Sequence, residues 1–216
     1  MGIAREHYLT AANRESRAAQ WLQACGRAAR EKPPILDFKQ TALLVLDMQG
    51  FFLDADAHAF VPSSDAILPP IAAMVDSFYR RDGTVVFTRH VSSENPDDPM
   101  RKRWPRAMSA TDPFSPVSPR LDTSRATLLT KSAFSAFRRT DLETRLRSRG
   151  ISRIIISGVM THLCCDTTAR DAFMRGFDVM FTVDGTATYT ESLHLGSLLA
   201  LSHGFAACIS SEEVPK

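Results

Sequence analysis

The stretch R-I-I-I-S-G-V-M-T-H-L-C-C-D-T-T-A-R-D-A-F-M-R-G, residues 153–176, decides the fold of this chain. It opens with an apolar β-branched run at 154–156, which is typical of a short strand buried on both faces. Ser157-Gly158 interrupts the run, and a helix is predicted to begin at Thr161 or His162 and to stop at a glycine. The stretch therefore predicts a strand, a tight turn and a helix, which is one unit of a parallel α/β sheet.

Two cysteines, Cys164 and Cys165, fall in the first turn of that predicted helix, just past the carboxyl end of the strand. Unpaired backbone N–H groups carry partial positive charge there, so a thiol in this place is expected to lose its proton more easily. The alternative is that both are buried and inert, because free cysteine is among the most buried residue types. The stretch alone leaves both interpretations open.

Further strands and helices alternate along the chain. Strands are predicted at 41–46, 84–88, 125–130, 154–156, 177–183 and 205–209, and helices at 67–81, 142–150, 161–176 and 191–203. This alternation predicts an α/β fold: a three-layer, doubly wound, Rossmann-like sheet of about six mostly parallel strands with helices on both faces. No G-x-G-x-x-G follows the first strand, so a dinucleotide cofactor is not predicted.

Composition narrows the function classes. The 216 residues carry a formal net charge of +2, spread along the chain, so neither nucleic acid nor a membrane surface is predicted as a partner. No apolar run is long enough to span a bilayer, no signal peptide is expected, and the four cysteines show no zinc-binding spacing. A reducing, cytoplasmic location is the expectation.

Two segments fall outside the regular alternation. Residues 1–33 are predicted to form an N-terminal helical arm, with the α/β domain at 34–216. Residues 91–125 are rich in Pro, Ser and Asp and lack periodicity, which is typical of a functional lid or of disorder. Within them, Trp104 stands among basic residues and is expected either to contact a ligand or partner, or to fill a gap in the core.

Three reactive side chains lie at or just after the carboxyl ends of predicted strands: Asp47, Lys131 and Cys164. The carboxyl ends of parallel strands share one edge of a doubly wound sheet, so residues far apart in sequence can meet there. A thiolate nucleophile, a carboxylate proton shuttle and a stabilising ammonium form a coherent catalytic set. Taken singly, Asp47 could instead form a turn and Lys131 could be a solvated lysine.

The motifs that surround these residues resemble those of a known family. L-L-V-L-D-M-Q at 43–49, T-K-S-A-F at 130–134 and S-G-V-M-T-H-L-C-C at 157–165 are similar to the isochorismatase-like cysteine hydrolases, and the likeness spans about 38–210. That superfamily includes nicotinamidases, N-carbamoylsarcosine amidohydrolases and isochorismatases.

The resemblance implies a catalytic triad of Asp47, Lys131 and Cys164, with Cys164 rather than Cys165 as the nucleophile. It also implies a cis peptide bond between Val159 and Met160. That bond is expected to turn the backbone N–H groups of Met160 and Cys164 into an oxyanion hole.

The chain departs from the nicotinamidase pattern at the metal site. Nicotinamidases carry a metal-binding Asp-x-His after the second strand, where this sequence has Thr88-Arg89-His90. His58 is a conceivable partner, but a lone histidine in a polar loop is more often solvated. We therefore expect no metal and no cofactor.

The expected function is hydrolysis of a C–N bond in a small amide or carbamoyl-type substrate through a thioester. One alternative is an isochorismatase-type vinyl ether hydrolase, which converts isochorismate to pyruvate and dihydroxy-dihydrobenzoate; loop arginines 101, 103 and 106 would suit its carboxylates. The other alternative is a non-catalytic binding protein. A homo-oligomer, dimer or tetramer, is expected. The predicted pocket residues are Gln49, Phe52, His58, Trp104, Phe134 and Tyr189.

Overall fold

One open sheet of six parallel strands organises the protein. The computed structural model describes residues 4–26, 36–104, 106 and 108–216. The strands are β1 (Thr41–Leu46), β2 (Thr84–His90), β3 (Thr127–Lys131), β4 (Arg153–Val159), β5 (Asp178–Ala187) and β6 (Ala207–Ile209). Their order in space is β3-β2-β1-β4-β5-β6, and every neighbouring pair is parallel. The predicted Rossmann-like α/β class is confirmed, and β1 and β4 flank the point where the strand order reverses, at which such sheets bind ligands.

Helices connect the strands. They are α1 (Arg14–Ala24), α2 (Gly50–Leu53), α3 (Ser64–Arg80), α4 (Pro99–Arg103), α5 (Leu142–Ser148), α6 (Asp166–Met174) and α7 (Glu191–Gly204). A π-helical turn, Thr161–Cys165, precedes α6, and a 3-10 turn, Ser211–Glu213, follows β6. Among the described residues, no helix combines the length and the apolar character needed to cross a membrane.

The core sits around the two central strands. All six residues of β1 are buried, as are those at 154–159 of β4, which matches their continuous apolar sequences. In α3, Ile67, Ile71, Met74 and Phe78 recur at three-to-four spacing and are all buried. Each such side chain contributes about 1.5–3 kcal/mol through removal from water.

The strand that precedes the π-helical turn is longer than predicted. Ser157-Gly158 does not end it, because Gly158 pairs with Leu46 of β1 and the strand continues to Val159. Gly158 has a φ of 112°, and a Cβ at this position would overlap the Leu46 carbonyl oxygen. Only glycine allows the two backbones to approach this closely.

Strand β5 also runs further than its sequence suggested. Its predicted end at Asp184-Gly185 is instead a buried part of the strand, which continues to Ala187. The Asp184 carboxylate accepts hydrogen bonds from Arg14 and from Ser211, at 3.0 and 2.6 Å. These partners satisfy a charge that would otherwise have favoured a solvent-exposed turn.

The described part of the N-terminal segment packs on the core. Tyr8, Leu9, Ala18 and Trp21 are buried in the same hydrophobic cluster as the sheet residues. The predicted end of the arm, at Lys32-Pro33-Pro34, lies outside the described residues. The division into an arm at 1–33 and a domain at 34–216 stays a prediction.

We predict that Gly158→Ala lowers the free energy of unfolding by about 3 kcal/mol or more, because it adds steric overlap to a strained φ. Gly176→Ala is the matched control: its φ is 77°, but no atom lies within 4 Å of the added Cβ. We expect the control to lose about 1 kcal/mol from backbone strain alone. Urea denaturation of both variants measures the difference, and equal losses would contradict the steric explanation.

Candidate active site

Three side chains from separate strands meet at the carboxyl edge of the sheet. Asp47 directly follows β1, Lys131 is the last residue of β3, and Cys164 lies in the π-helical turn after β4. Lys131 Nζ is 2.7 Å from Asp47 Oδ2 and 3.3 Å from Cys164 Sγ. All three residues are buried.

Strand order explains why the ammonium group has to come from a lysine. Strand β2 lies between β3 and β1, so two strand spacings, about 10 Å, separate the backbones that carry Lys131 and Asp47. The long lysine side chain spans this gap, and its Nζ also donates to the Ala133 carbonyl at 3.0 Å. The ammonium group therefore donates hydrogen bonds to Ala133 and Cys164 and forms an ion pair with Asp47.

The carboxylate is held on its other side by β2. Asp47 has a φ of 52°, in the left-handed region, and its N–H donates to Thr88 Oγ1 at 3.1 Å. The Thr88 hydroxyl in turn donates to Asp47 Oδ1 at 2.6 Å. With one oxygen on Thr88 and the other on Lys131, the carboxylate has a single orientation.

Electrostatics keep Asp47 and Lys131 charged. Burial acts to raise the pKa of Asp47, but Lys131, His90 and Cys164 together outweigh it, and the pKa lies below its ordinary value. Burial acts to lower the pKa of Lys131, but Asp47 and Cys164 together outweigh this effect, so that the pKa of Lys131 is raised. The pair is therefore ionised at neutral pH.

Cys164 is a thiol at neutral pH, which corrects the expectation that its position would favour ionisation. Burial and the negative charge of Asp47 raise the pKa of Cys164 to about 12, and the opposing effect of Lys131 is smaller. The thiol and the Asp47 carboxylate both contact the same Lys131 ammonium group, at 3.3 and 2.7 Å. Proton transfer to this carboxylate is thus available as a route to the thiolate.

The neighbouring cysteine faces away from the cavity. Cys165 is fully buried in the hydrophobic core, and burial raises its pKa well above the ordinary value. Only Cys164 of the two borders the cavity described below. On the strand side of the turn, the Val159–Met160 peptide bond is cis.

A buried histidine supports the π-helical turn from behind. His194 Nε2 donates to the Val183 carbonyl at 3.0 Å, so its Nδ1 accepts from the Thr161 hydroxyl at 2.9 Å. Burial lowers the pKa of His194 to about 3, so the ring is neutral. The indole ring of Trp21 lies 4.4 Å from the imidazole ring, which places α1 behind the turn that carries Cys164.

A cavity of about 340 Å³ opens onto Cys164. Of the pocket residues predicted from the sequence, Phe52, His58, Trp104, Phe134 and Tyr189 line it. Trp104 is half-buried and contacts the cavity, which favours the ligand-contact interpretation of this residue. The remaining lining residues are Phe51, Ala59, His90, Ser92, Ser93, Met100, Arg101, Arg106, Ser132, Met160, Leu163 and Cys164.

Gln49 does not line the cavity, contrary to its prediction. Its side-chain amide is saturated by backbone groups, with Nε2 donating to the carbonyls of Ser115 and His90 and Oε1 accepting from the His90 N–H. Gln49 therefore ties the long loop at 91–125 to the end of β2. The sequence around Gln49 does not predict these hydrogen bonds, because Ser115 and His90 are distant from it along the chain.

Besides Trp104, the 91–125 loop supplies five cavity residues, of which only Arg101 and Arg106 were considered from the sequence, as partners for the carboxylates of isochorismate. Ser92, Ser93, Met100, Arg101 and Arg106 all come from it. The loop's length, its lack of periodicity and its cluster of basic residues around a tryptophan were the available signal. Which of these side chains face inward depends on the short helix α4, which the sequence pattern did not predict.

The two histidines of the cavity are neutral. Burial, together with the charge of Lys131, lowers the pKa of His90 to about 4. The pKa of His58 is lowered by partial burial and by nearby arginines, and its Nδ1 lies 2.8 Å from Arg106 Nη1. Within the described ranges, no three His, Cys, Asp or Glu residues form a group that could hold a metal ion.

A thiol, a carboxylate and an ammonium group buried beside a cavity at this edge of a doubly wound sheet are typical of an enzyme rather than of a structural core. Residues 41–213 match the model of the Isochorismatase domain. The chain therefore belongs to the isochorismatase family of hydrolases.

Several known proteins are similar to this chain. Nicotinamidase 3 of Arabidopsis thaliana is 34% identical over 181 residues, which are 82% of this chain and 87% of that protein. A cysteine hydrolase from Pseudomonas syringae pv. phaseolicola 1448A superimposes with a TM-score of 0.80 at 26% identity, over 87% of this chain and 96% of the other. N-carbamoylsarcosine amidase from Thermoplasma acidophilum gives a TM-score of 0.72 at 25% identity, over 82% and 99%.

We predict that Lys131→Met lowers the free energy of unfolding by about 3–5 kcal/mol at neutral pH, because it leaves a buried carboxylate unpaired. It should also reverse the pH dependence. In the wild type the depressed pKa of Asp47 stabilises the fold above the unfolded value of about 4, and this contribution is lost only as the pH falls through the folded pKa. Without Lys131, burial raises that pKa, so stability should fall as the pH rises.

Denaturant unfolding of both proteins between about pH 3 and pH 8 measures this reversal, because the Asp47 contribution of the wild type changes only below about pH 4. Lys102→Met is the control, because it removes the same charge from an exposed pair with Asp97. A variant at Lys131 that is equally stable at both ends of the range would mean that the Asp47 charge is not held by Lys131.

Proposed function

We propose that this protein is a cysteine hydrolase that cleaves a C–N bond of a small amide or carbamoyl compound through a thioester intermediate. The observation that carries the proposal is Cys164, a buried thiol that borders the cavity and lies 3.3 Å from Lys131 Nζ, which is itself 2.7 Å from Asp47 Oδ2. The similar nicotinamidase, cysteine hydrolase and N-carbamoylsarcosine amidase are named for chemistry of this kind.

The first half of the reaction forms the thioester. As Cys164 Sγ attacks the carbonyl carbon, its proton passes to Asp47, which the low pKa keeps ionised and ready to accept it. The oxygen of the tetrahedral intermediate takes up the negative charge, and the backbone N–H groups of Met160 and Cys164 are its proposed donors. When the C–N bond breaks, Asp47 returns the proton to the departing nitrogen, and an amine or ammonia leaves.

The second half hydrolyses the thioester. Water attacks the same carbonyl carbon while Asp47 takes one of its protons, and the C–S bond then breaks. The proton passes from Asp47 to the departing sulfur, which restores the thiol and releases the acid. Lys131 keeps its positive charge throughout, so Asp47 returns to its ionised state after each transfer.

A second candidate is the isochorismatase-type vinyl ether hydrolase, which uses an aspartate as the acid and needs no thiol nucleophile. Arg101 and Arg106, which line the cavity, support it because they could bind substrate carboxylates. The third alternative, a non-catalytic binding protein, would not require the three buried groups. We also predict that the protein binds a small-molecule substrate and that it forms a homo-oligomer.

One experiment distinguishes C–N bond hydrolysis from vinyl ether hydrolysis. We expect release of ammonia from at least one member of a panel of small amides and carbamoyl compounds, and no release of pyruvate from isochorismate. Cys164→Ala should lower kcat by about 10³-fold or more, and a slow substrate should leave a mass adduct on Cys164. Cys165→Ala is the matched control, since that thiol faces the core. Pyruvate release that survives Cys164→Ala would contradict the proposed mechanism.

We also predict that activity survives chelation. Among the described residues that line the cavity there are two histidines, His58 and His90, and no carboxylate, and no three His, Cys, Asp or Glu residues of the described ranges form a group that could hold a metal ion. Dialysis against a strong chelator followed by the ammonia-release assay tests this. Activity that is lost and then restored by zinc, iron or manganese would show that metal independence is wrong.

A further inference from the structure

The cavity carries an excess of positive charge. The described residues of its lining include Arg101 and Arg106 and no aspartate or glutamate. At the catalytic end the charges of Asp47 and Lys131 cancel, Cys164 is a thiol, and both histidines are neutral. The two guanidinium groups are therefore the uncompensated charges of a pocket whose other walls are largely aromatic and apolar.

Arg101 and Arg106 differ from the neighbouring basic residues in their contacts. In the same helix α4, Lys102 pairs with Asp97 at 3.0 Å, and Arg103 lies over the ring of Trp104. Among the described residues, no carboxylate pairs with Arg101 or with Arg106. The contact of Arg106 is the neutral ring of His58, which accepts a hydrogen bond without neutralising the charge.

The side of the cavity that carries Arg101 and Arg106 also carries Trp104, whose indole N–H is a hydrogen-bond donor. Trp104 Nε1 is buried and has no hydrogen-bond partner within the part of the chain that the structure describes. An indole N–H can only donate, so it needs an acceptor that the surrounding protein does not supply. A ligand group that is rich in acceptor oxygens would satisfy this donor and both guanidinium groups.

The wall is braced from the N-terminal segment. Arg5 Nη2 donates to the carbonyl of His58, and its guanidinium lies 5.0 Å from the centre of the Tyr189 ring. The Tyr189 hydroxyl donates to the Ala59 carbonyl at 3.4 Å. Arg106 thus rests on a histidine whose backbone is itself held in place, which limits its loss of conformational entropy when it binds an anion.

We propose that the substrate carries a carboxylate at the end remote from the scissile carbonyl, bound by Arg101 and Arg106 with Trp104 Nε1 as a further donor. This inference rests on the proposed function, since it names the class of amide that the site takes. Planar guanidinium groups match a carboxylate in two-point contact. A singly charged group is favoured over a phosphate, because a dianion costs more to dehydrate in an apolar cavity.

The test compares matched acids and neutral amides by isothermal titration calorimetry on Cys164→Ala, which binds without turnover. The probe pairs are succinamate with succinamide, glutaramate with glutaramide, and N-carbamoylglycine with its amide. We expect at least one acid to bind about tenfold or more tightly than its neutral partner. If no acid in the panel binds more tightly than its partner, the proposal is overturned.

Variants that remove one positive charge show which residues cause the tighter binding of the acids. Arg101→Gln and Arg106→Gln, each added to Cys164→Ala, should weaken binding of the acid about tenfold and leave binding of the neutral amide unchanged. Lys102→Gln is the matched control in the same helix and should change neither. Equal loss of both ligands would assign a merely structural role to the arginines and overturn the proposal. A charge preference that persists in a protein without amidase activity would reject the proposed reaction but keep this inference.

Discussion

The buried ion pair between Asp47 and Lys131 is the constraint on which the site depends. Removing two charges from water is expensive, and such a pair seldom stabilises a fold more than apolar residues of the same volume would. Here the ammonium group forms an ion pair with the Asp47 carboxylate and donates hydrogen bonds to the Ala133 carbonyl and the Cys164 sulfur. The pair needs β1, β2 and β3 in their observed order, because only then does a lysine span the distance to the carboxylate.

That pair also sets the state of the nucleophile. Cys164 lies too deep for its position after a strand to ionise it, and the negative charge of Asp47 adds to the effect of burial. The carboxylate that opposes ionisation in the resting protein is the same group that can take the proton when a carbonyl arrives. A resting thiol beside an ionised carboxylate is thus compatible with catalysis, and the attack and the proton transfer are coupled.

Segments outside the central strands complete the site. The N-terminal segment supplies Trp21 behind His194, which holds Thr161 of the π-helical turn, and Arg5 at the cavity wall. The long loop at 91–125 is tied down by Gln49 and brings its arginines to the cavity. Sheet and turn thus carry the reactive groups, whereas the arm and the loop shape the space in which a ligand can bind.

The sequence by itself determined the strands, the doubly wound class and the meeting of Asp47, Lys131 and Cys164. Apolar runs and their alternation with helices are local signals, and the carboxyl ends of parallel strands necessarily share an edge. The tertiary structure alone decided the protonation of Cys164, the continuation of β4 through Gly158, the saturation of Gln49 and the inward direction of Arg101. Each of these four features depends on burial or on a partner distant in sequence. The spacing of neighbouring residues predicts neither burial depth nor such a partner.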